Sequence, residues 1–85
     1  MPLLFILLGF RFMFFSNDHE PIHIHVVRGM GEIKEYAKFT LMPDVKIVEN
    51  KGLKRSELKK AQSIIEDNKE IIIDRWLQYF NNGKN

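Results

Sequence analysis

Apolar and polar positions change their rhythm near residue 52. Before it they run in solid apolar blocks or alternate in twos, as strands do, and after it they recur at helical spacing. Leu3 to Leu8 is an unbroken apolar run, too short for a typical helix, and predicts a strand buried on both faces. Gly9 punctuates it. Phe10 to Phe15 predicts a second strand with Phe10, Phe12 and Phe14 on one face and Arg11, Met13 and Phe15 on the other. The two strands form either a hairpin around Gly9 or one long bent strand.

Ser16-Asn17-Asp18 is turn chemistry, since short polar side chains bond the backbone just ahead, and Pro21 biases Glu20 toward an extended conformation. Ile22 to Arg28 then reads as a strand. Gly29-Met30-Gly31 links it to a charged strand, Glu32 to Leu41, and a three-residue loop would place Arg28 opposite Glu32 and His25 opposite Glu35. After the turn at Met42-Pro43-Asp44, Val45 to Glu49 gives a last short strand, ended by Asn50-Lys51-Gly52.

From Leu53 onward, Leu58, Ala61, Ile65, Ile72, Trp76, Tyr79 and Phe80 form a helical stripe, widened by Ile64, Ile71 and Leu77. Ser56 is the candidate N-cap. The stripe would bury Asn68, so either one helix carries a polar notch or Asp67-Asn68 divides it into about Ser56 to Asp67 and Lys69 to Asn81, with Asn68 capping the second. The sum is a single α+β domain over residues 1–85, with an antiparallel sheet of four or five strands (about 3–49) packed by a C-terminal helical segment (about 55–81).

Composition narrows the function. With 85 residues and no cysteine there is room for one modest core, no disulfide and no thiolate ligand, which fits a reducing cytoplasm. Any metal must be held by His, Asp or Glu. Gly9 and Arg11 interrupt the apolar N-terminal stretch, which falls short of the roughly 20 residues that cross a bilayer. It also lacks the charged leader and cleavage site of a signal peptide. A cytoplasmic protein without a membrane span is the expectation. Net charge is only +2, yet Lys51, Lys54, Arg55, Lys59 and Lys60 crowd one segment against Glu57 alone. That patch suits RNA, DNA or an acidic partner, and also an ordinary solvated helix face.

All three histidines of the chain fall within residues 19–25. His23 and His25, two apart on a strand, project side by side about 6.5–7 Å apart, while Ile24 and Val26 face the other way. His19 sits on the preceding turn. Three readings stay open. His19, His23 and His25 could hold a divalent metal with an open position for water. One imidazole could act as base or acid while another, with Arg11 or Arg28, binds a phosphate, as in a nuclease or other phosphoester hydrolase. Or Asp18 and Glu20 fix the turn and the histidines bond main chain or line an interface. Arg11, on a strand of Phe and Met, has to reach the rim or pair with a carboxylate, because a lone buried cation is costly. Where the cluster carries an activity, this sheet face is expected to be exposed, so that histidine substitutions such as His19→Ala or His25→Ala should cost less than about 0.5 kcal/mol.

The run Ser-Asn-Asp-His-Glu-Pro-x-His-Ile-His-Val at 16–26, with Asp44-Val45, Val48-Glu49-Asn50-x-Gly52-Leu53, Glu57-Leu58 and a closing Trp76-x-x-Tyr79-Phe80, resembles a family of small bacterial proteins known only as a domain of unknown function. The resemblance implies a component of a two-protein toxin–antitoxin module, with this domain the toxin and a small antitoxin-like protein its partner. It attaches no reaction to the histidines.

Overall fold

The first reversal of the chain is a hairpin, not a bend. In the computed structural model, which describes residues 3–15 and 21–82, β1 (Leu3–Leu7) and β2 (Phe10–Met13) are joined by Leu8-Gly9. Both turn residues have positive φ, 53° and 83°, the geometry a two-residue turn needs to match the strands' twist. Gly9 adopts it freely and Leu8 does not.

Three further strands, β3 (His23–Arg28), β4 (Tyr36–Thr40) and β5 (Lys46–Lys51), follow in order, so the five-stranded antiparallel sheet is a simple meander β1-β2-β3-β4-β5. β1 is therefore an edge. The expectation that it is buried on both faces fails, since Leu3, Ile6 and Leu7 are exposed. An apolar run has two covered faces only in an interior strand, and sequence alone does not set strand order.

Alternation does place the core. Val26 lies between Phe12 and Ala37, and Ile24 opposite Phe39. These residues form one face and pack with Phe10, Phe14 and Leu41 against Leu53, Ala61, Ile64, Ile65, Ile72 and Trp76. Each fully buried side chain of this size contributes about 1.5–3 kcal/mol relative to exposure. Phe5 stacks on Phe12 at 4.7 Å between ring centroids, extending this face into the edge strand.

The predicted register between the third and fourth strands is overturned. His25 pairs with Lys38 rather than Glu35, and Val27 with Tyr36, so the connection spans 29–35 and Arg28, not Val27 or His25, meets Glu35 through an Arg28 N–H to Glu35 carbonyl bond of 3.1 Å. The reason is hydrophobic. Only this register sets Ala37 and Phe39 beside Val26 and Ile24, whereas Glu32 to Glu35 offers Ile33 alone and stays outside the sheet.

Helix α1 (Arg55–Asp67) and helix α2 (Lys69–Asn82) meet at Asn68, which bears out the two-helix alternative. Their details differ from expectation at each end. The N-cap is Lys54, two residues before Ser56, because the Glu57 carboxylate accepts the Lys54 N–H at 2.8 Å, half of a capping box. Asn68 closes the first helix rather than opening the second with its side chain: its Nδ2 donates to the Ile64 carbonyl at 2.8 Å. Its carbonyl then accepts the Ile72 N–H at 3.0 Å, so the second helix begins almost where the first ends. Ile71 and Leu77, expected to widen the buried stripe, are exposed.

Replacing Leu8 by Asn, which tolerates the left-handed region, should raise folding stability by about 1 kcal/mol. Urea titration of both proteins at one dilute concentration measures it, and an unchanged midpoint would show that Leu8 carries no conformational cost.

Candidate functional site

Strand pleating puts His23, His25 and Val27 on the face of β3 opposite the helices, together with Arg11 and Met13 of β2 and Tyr36, Lys38 and Thr40 of β4. His25 is flanked by Met13 on one side and Lys38 on the other, and His23 stands opposite Thr40. On β5, Glu49 lies opposite Lys38 and Lys51 opposite Tyr36. The face is thus rich in chemistry, and it is not open. His23 and His25 are 5% and 6% exposed and Met13 and Val27 are buried with them, which overturns the expected exposed histidine face.

Rings do much of the covering. The His25 ring lies 4.1 Å from Phe15 and 6.1 Å from Tyr36, between centroids. Trp76 of α2 reaches the end of the sheet, where it packs 5.1 Å from His23 and edge-on to Phe14. The two imidazoles are 5.4 Å apart and nearly perpendicular, at 74°. His23 Nδ1 is 2.8 Å from the Pro21 carbonyl. A carbonyl only accepts, so Nδ1 carries hydrogen, and in the neutral ring the lone pair sits on Nε2, an atom that faces the interior. Across the strand, Tyr36 donates its hydroxyl to Glu49 at 3.2 Å, and that bond raises the phenol's pKa, with the carboxylate's charge adding to it.

Of the other predicted site residues, Arg11 shares the histidine face, and its guanidinium reaches the exposed rim. Among the described residues it pairs with no carboxylate: Nε and Nη2 donate to the carbonyls of Gly29 and Gly31, both at 2.7 Å, so the cation straps the 29–35 loop to the sheet. Arg28 is on the helix side, away from the histidines. His19, with Asp18 and Glu20, lies outside the described residues. Among the described residues no group of three or more histidine or carboxylate side chains is placed to hold a metal ion, so the metal site expected of His19, His23 and His25 rests on a ligand outside them. Lys51, Lys54, Arg55, Lys59 and Lys60 are all exposed, along the end of β5 and the start of α1.

Sequence reasoning missed Tyr36, Lys38, Thr40 and Glu49 as neighbours of the histidines. Their alternation against Ala37, Phe39 and Leu41 was readable, and only the loop length hid which of them meets His25.

Among the described residues, the corner beneath the opposite face is the best-knit polar cluster. Arg28 Nε donates to Glu57 Oε2 at 2.9 Å, Nη2 donates to Glu57 Oε1 and to the Gly52 carbonyl at 3.1 Å, and Nη1 pairs with Glu35. Gly52 has φ +95°, and a Cβ there would come within 2.9 Å of Glu35 Cγ, so glycine is required twice over. Asn50 accepts from the Leu53 N–H and donates to its carbonyl, each at 3.1 Å. The motif Asn50-x-Gly52-Leu53 followed by Glu57 is this corner.

Residues 9–77 match the family model described as Domain of unknown function (DUF4160). The chain belongs to that family. No match was found among curated proteins or among solved structures. The DUF4160 match spans the sheet from the Leu8-Gly9 turn onward and both helices as far as Leu77, and it leaves β1 outside.

Two outcomes follow from this geometry. The Arg28 guanidinium, and after it the Lys54 N–H, hold the Glu57 carboxyl at about 2 against an ordinary 4.5. A carboxyl whose folded value is depressed stabilises the fold fully above its ordinary value and loses that contribution as pH falls through the folded one. Acid destabilisation between pH 4.5 and about 2 should therefore be steeper in the parent than in Glu57→Gln, read from thermal melts across that window, and identical slopes would remove Glu57 from the stabilising set. Because both imidazoles are buried, His25→Ala should cost about 1–3 kcal/mol, measured by denaturant unfolding. A loss under about 0.5 kcal/mol, the usual surface value, would mean that the ring packs against little.

Proposed function

We propose that this chain is the toxin-like component of a bacterial two-protein module, that its histidine face engages a phosphate-bearing ligand, RNA before others, and that a small partner protein neutralises it. The observation that carries this reading is the placement of Lys38 directly across from His25, with His23 beside it. An imidazole can give or take a proton near neutral pH, and an ammonium on the adjoining strand supplies the positive charge that a phosphodiester needs as its negative charge builds. Lys51, opposite Tyr36 on the same face, continues the positive surface around the sheet edge to Lys54, Arg55, Lys59 and Lys60. A polyanion lying along that path would reach the imidazoles only at their edges, and Lys38, half-buried, would meet it first. The same donor set serves a metal-dependent hydrolase if His19 completes it, so added Zn²⁺ and a chelator belong in the assay.

Induced expression should arrest growth, and co-expression with the proposed small partner, sought among the products of adjacent genes, should relieve the arrest. Lys38→Gln and His25→Gln, which remove the cation and the imidazole while retaining bulk and polarity, should each abolish arrest with soluble, folded protein still present. In vitro, RNA affinity should fall steeply with salt, and each neutralised lysine of the Lys51 to Lys60 patch should flatten that slope by about one unit. Absence of arrest by the parent protein would sink the toxin reading. Arrest and RNA binding that ignore Lys38 and His25 but depend on Lys59 and Lys60 would instead make this a nucleic-acid-binding module without chemistry on the histidine face.

A further inference from the structure

The two edges of the sheet are built on different principles. β5 is guarded: it carries Lys46 and Lys51 at its ends and Glu49 within. Pairing it antiparallel with a second β5 about its centre would set Lys46 of each copy against Lys51 of the other, a like-charge opposition at both ends. β1 has no such guard. Its sequence, Leu3-Leu4-Phe5-Ile6-Leu7, has no charge, no proline and no polar side chain, although Leu3 is 47%, Ile6 48% and Leu7 43% exposed. Edge strands of this kind offer a row of backbone donors and acceptors flanked by apolar side chains, and natural sheets normally blunt them.

A second local rule is broken at the same edge. Leu8 stands in the left-handed region at φ 53° in a turn that Asn, Asp or Gly would fill without cost, and its side chain is 67% exposed. The Gly29 N–H bonds to the Gly9 carbonyl at 2.9 Å, which brings the start of the next loop, with exposed Met30, beside that turn. Places where a sequence departs from its local preferences with no gain inside its own fold are where function is to be sought.

We propose that β1 is a dimerisation edge, on which a second copy of this chain pairs β1 against β1, antiparallel about a two-fold axis, joining two five-stranded sheets into one. The occupant is a second copy because identical antiparallel strands are self-complementary under a two-fold rotation, each contact occurring twice. Centred on Ile6, the pairing uses the regular part of the strand, beyond the irregularity between Leu3 and Phe5, and sets Phe5 of each copy against Leu7 of the other. In any register of residues 3–8 apolar side chains meet apolar side chains. The interface lies beyond Arg11 and Met13 from the histidines, so dimerisation leaves the histidine face in place and does not depend on the function proposed for it.

Sedimentation equilibrium of the full chain over a wide concentration range tests this. The parent protein should show the mass of two chains at high concentration and of one on dilution. Ile6→Glu, which places two carboxylates against each other at the axis, should raise the dimer Kd at least about tenfold with an unchanged circular dichroism spectrum. Val48→Glu, on the other edge, should leave the Kd unaltered. Should Ile6→Glu fail to fold, Leu8→Asp on the exposed turn gives the same reading, with a smaller rise in Kd. A parent that stays monomeric at every concentration overturns the proposal. So does a dimer indifferent to both β1 substitutions or one dissociated by Val48→Glu.

Discussion

The bidentate contact between Arg28 and Glu57 is the joint on which the rest of the architecture turns. Arg28 is the last residue of β3 and Glu57 sits in the first turn of α1, so one ion pair fixes the helix against the central strand of the sheet. The same guanidinium holds Glu35 at the end of the 29–35 loop and the Gly52 carbonyl at the end of β5. Four chain segments thereby share one charge. Glu57 meanwhile accepts the Lys54 N–H, so the group that docks the helix also starts it. Charge-assisted, planar bonding of this type is directional in a way that the apolar core is not. The core favours helices over that face, and the clamp decides where along the face they begin.

The strands, the helical region and the division at Asn68 were legible because each rests on local chemistry: alternation, helical period, and an amide in an otherwise apolar stripe. Strand order was not local. Leu3 to Leu8 reads as an interior strand by composition and lies at an edge because a meander of tight connections leaves the first strand nowhere else to go. The register of β3 on β4 failed for a related reason. Gly29-Met30-Gly31 looks sufficient for a turn, but the residues after it have no apolar alternation, and the loop lengthens until Ala37 and Phe39 find Val26 and Ile24. The pairing with Arg28 was assigned to Glu32 and belongs to Glu35, one helical cap and one glycine being needed to receive it. Neither Glu57 nor Gly52 is near in sequence.

The histidines show the same limit from the functional side. Their common face followed from spacing, and their neighbours Lys38 and Tyr36 followed only from the true register. Burial was the larger surprise. An imidazole pair between Phe15, Tyr36 and Trp76 has its orientation fixed by packing before any ligand arrives, and the Pro21 carbonyl fixes the hydrogen on His23. Such fixing is what general acid–base chemistry requires. It is equally what a polar residue in a small core requires, so one packing arrangement serves both the fold and the chemistry proposed for it.

Arg11 marks where these demands meet. A cation on a strand of Phe and Met must satisfy its donors, and two loop carbonyls do so at 2.7 Å each. Arg11 therefore holds the 29–35 loop close to the sheet on the histidine side, while Arg28 binds the far end of that loop on the helix side. The loop is tied from both faces by cations on neighbouring strands, Arg11 lying opposite Val27. Neutralising Arg11 would strand two carbonyls and free the loop's first turn without touching the core. Whatever else Arg11 does on that face, its position makes it the part that ties the loop to the sheet beside the histidines.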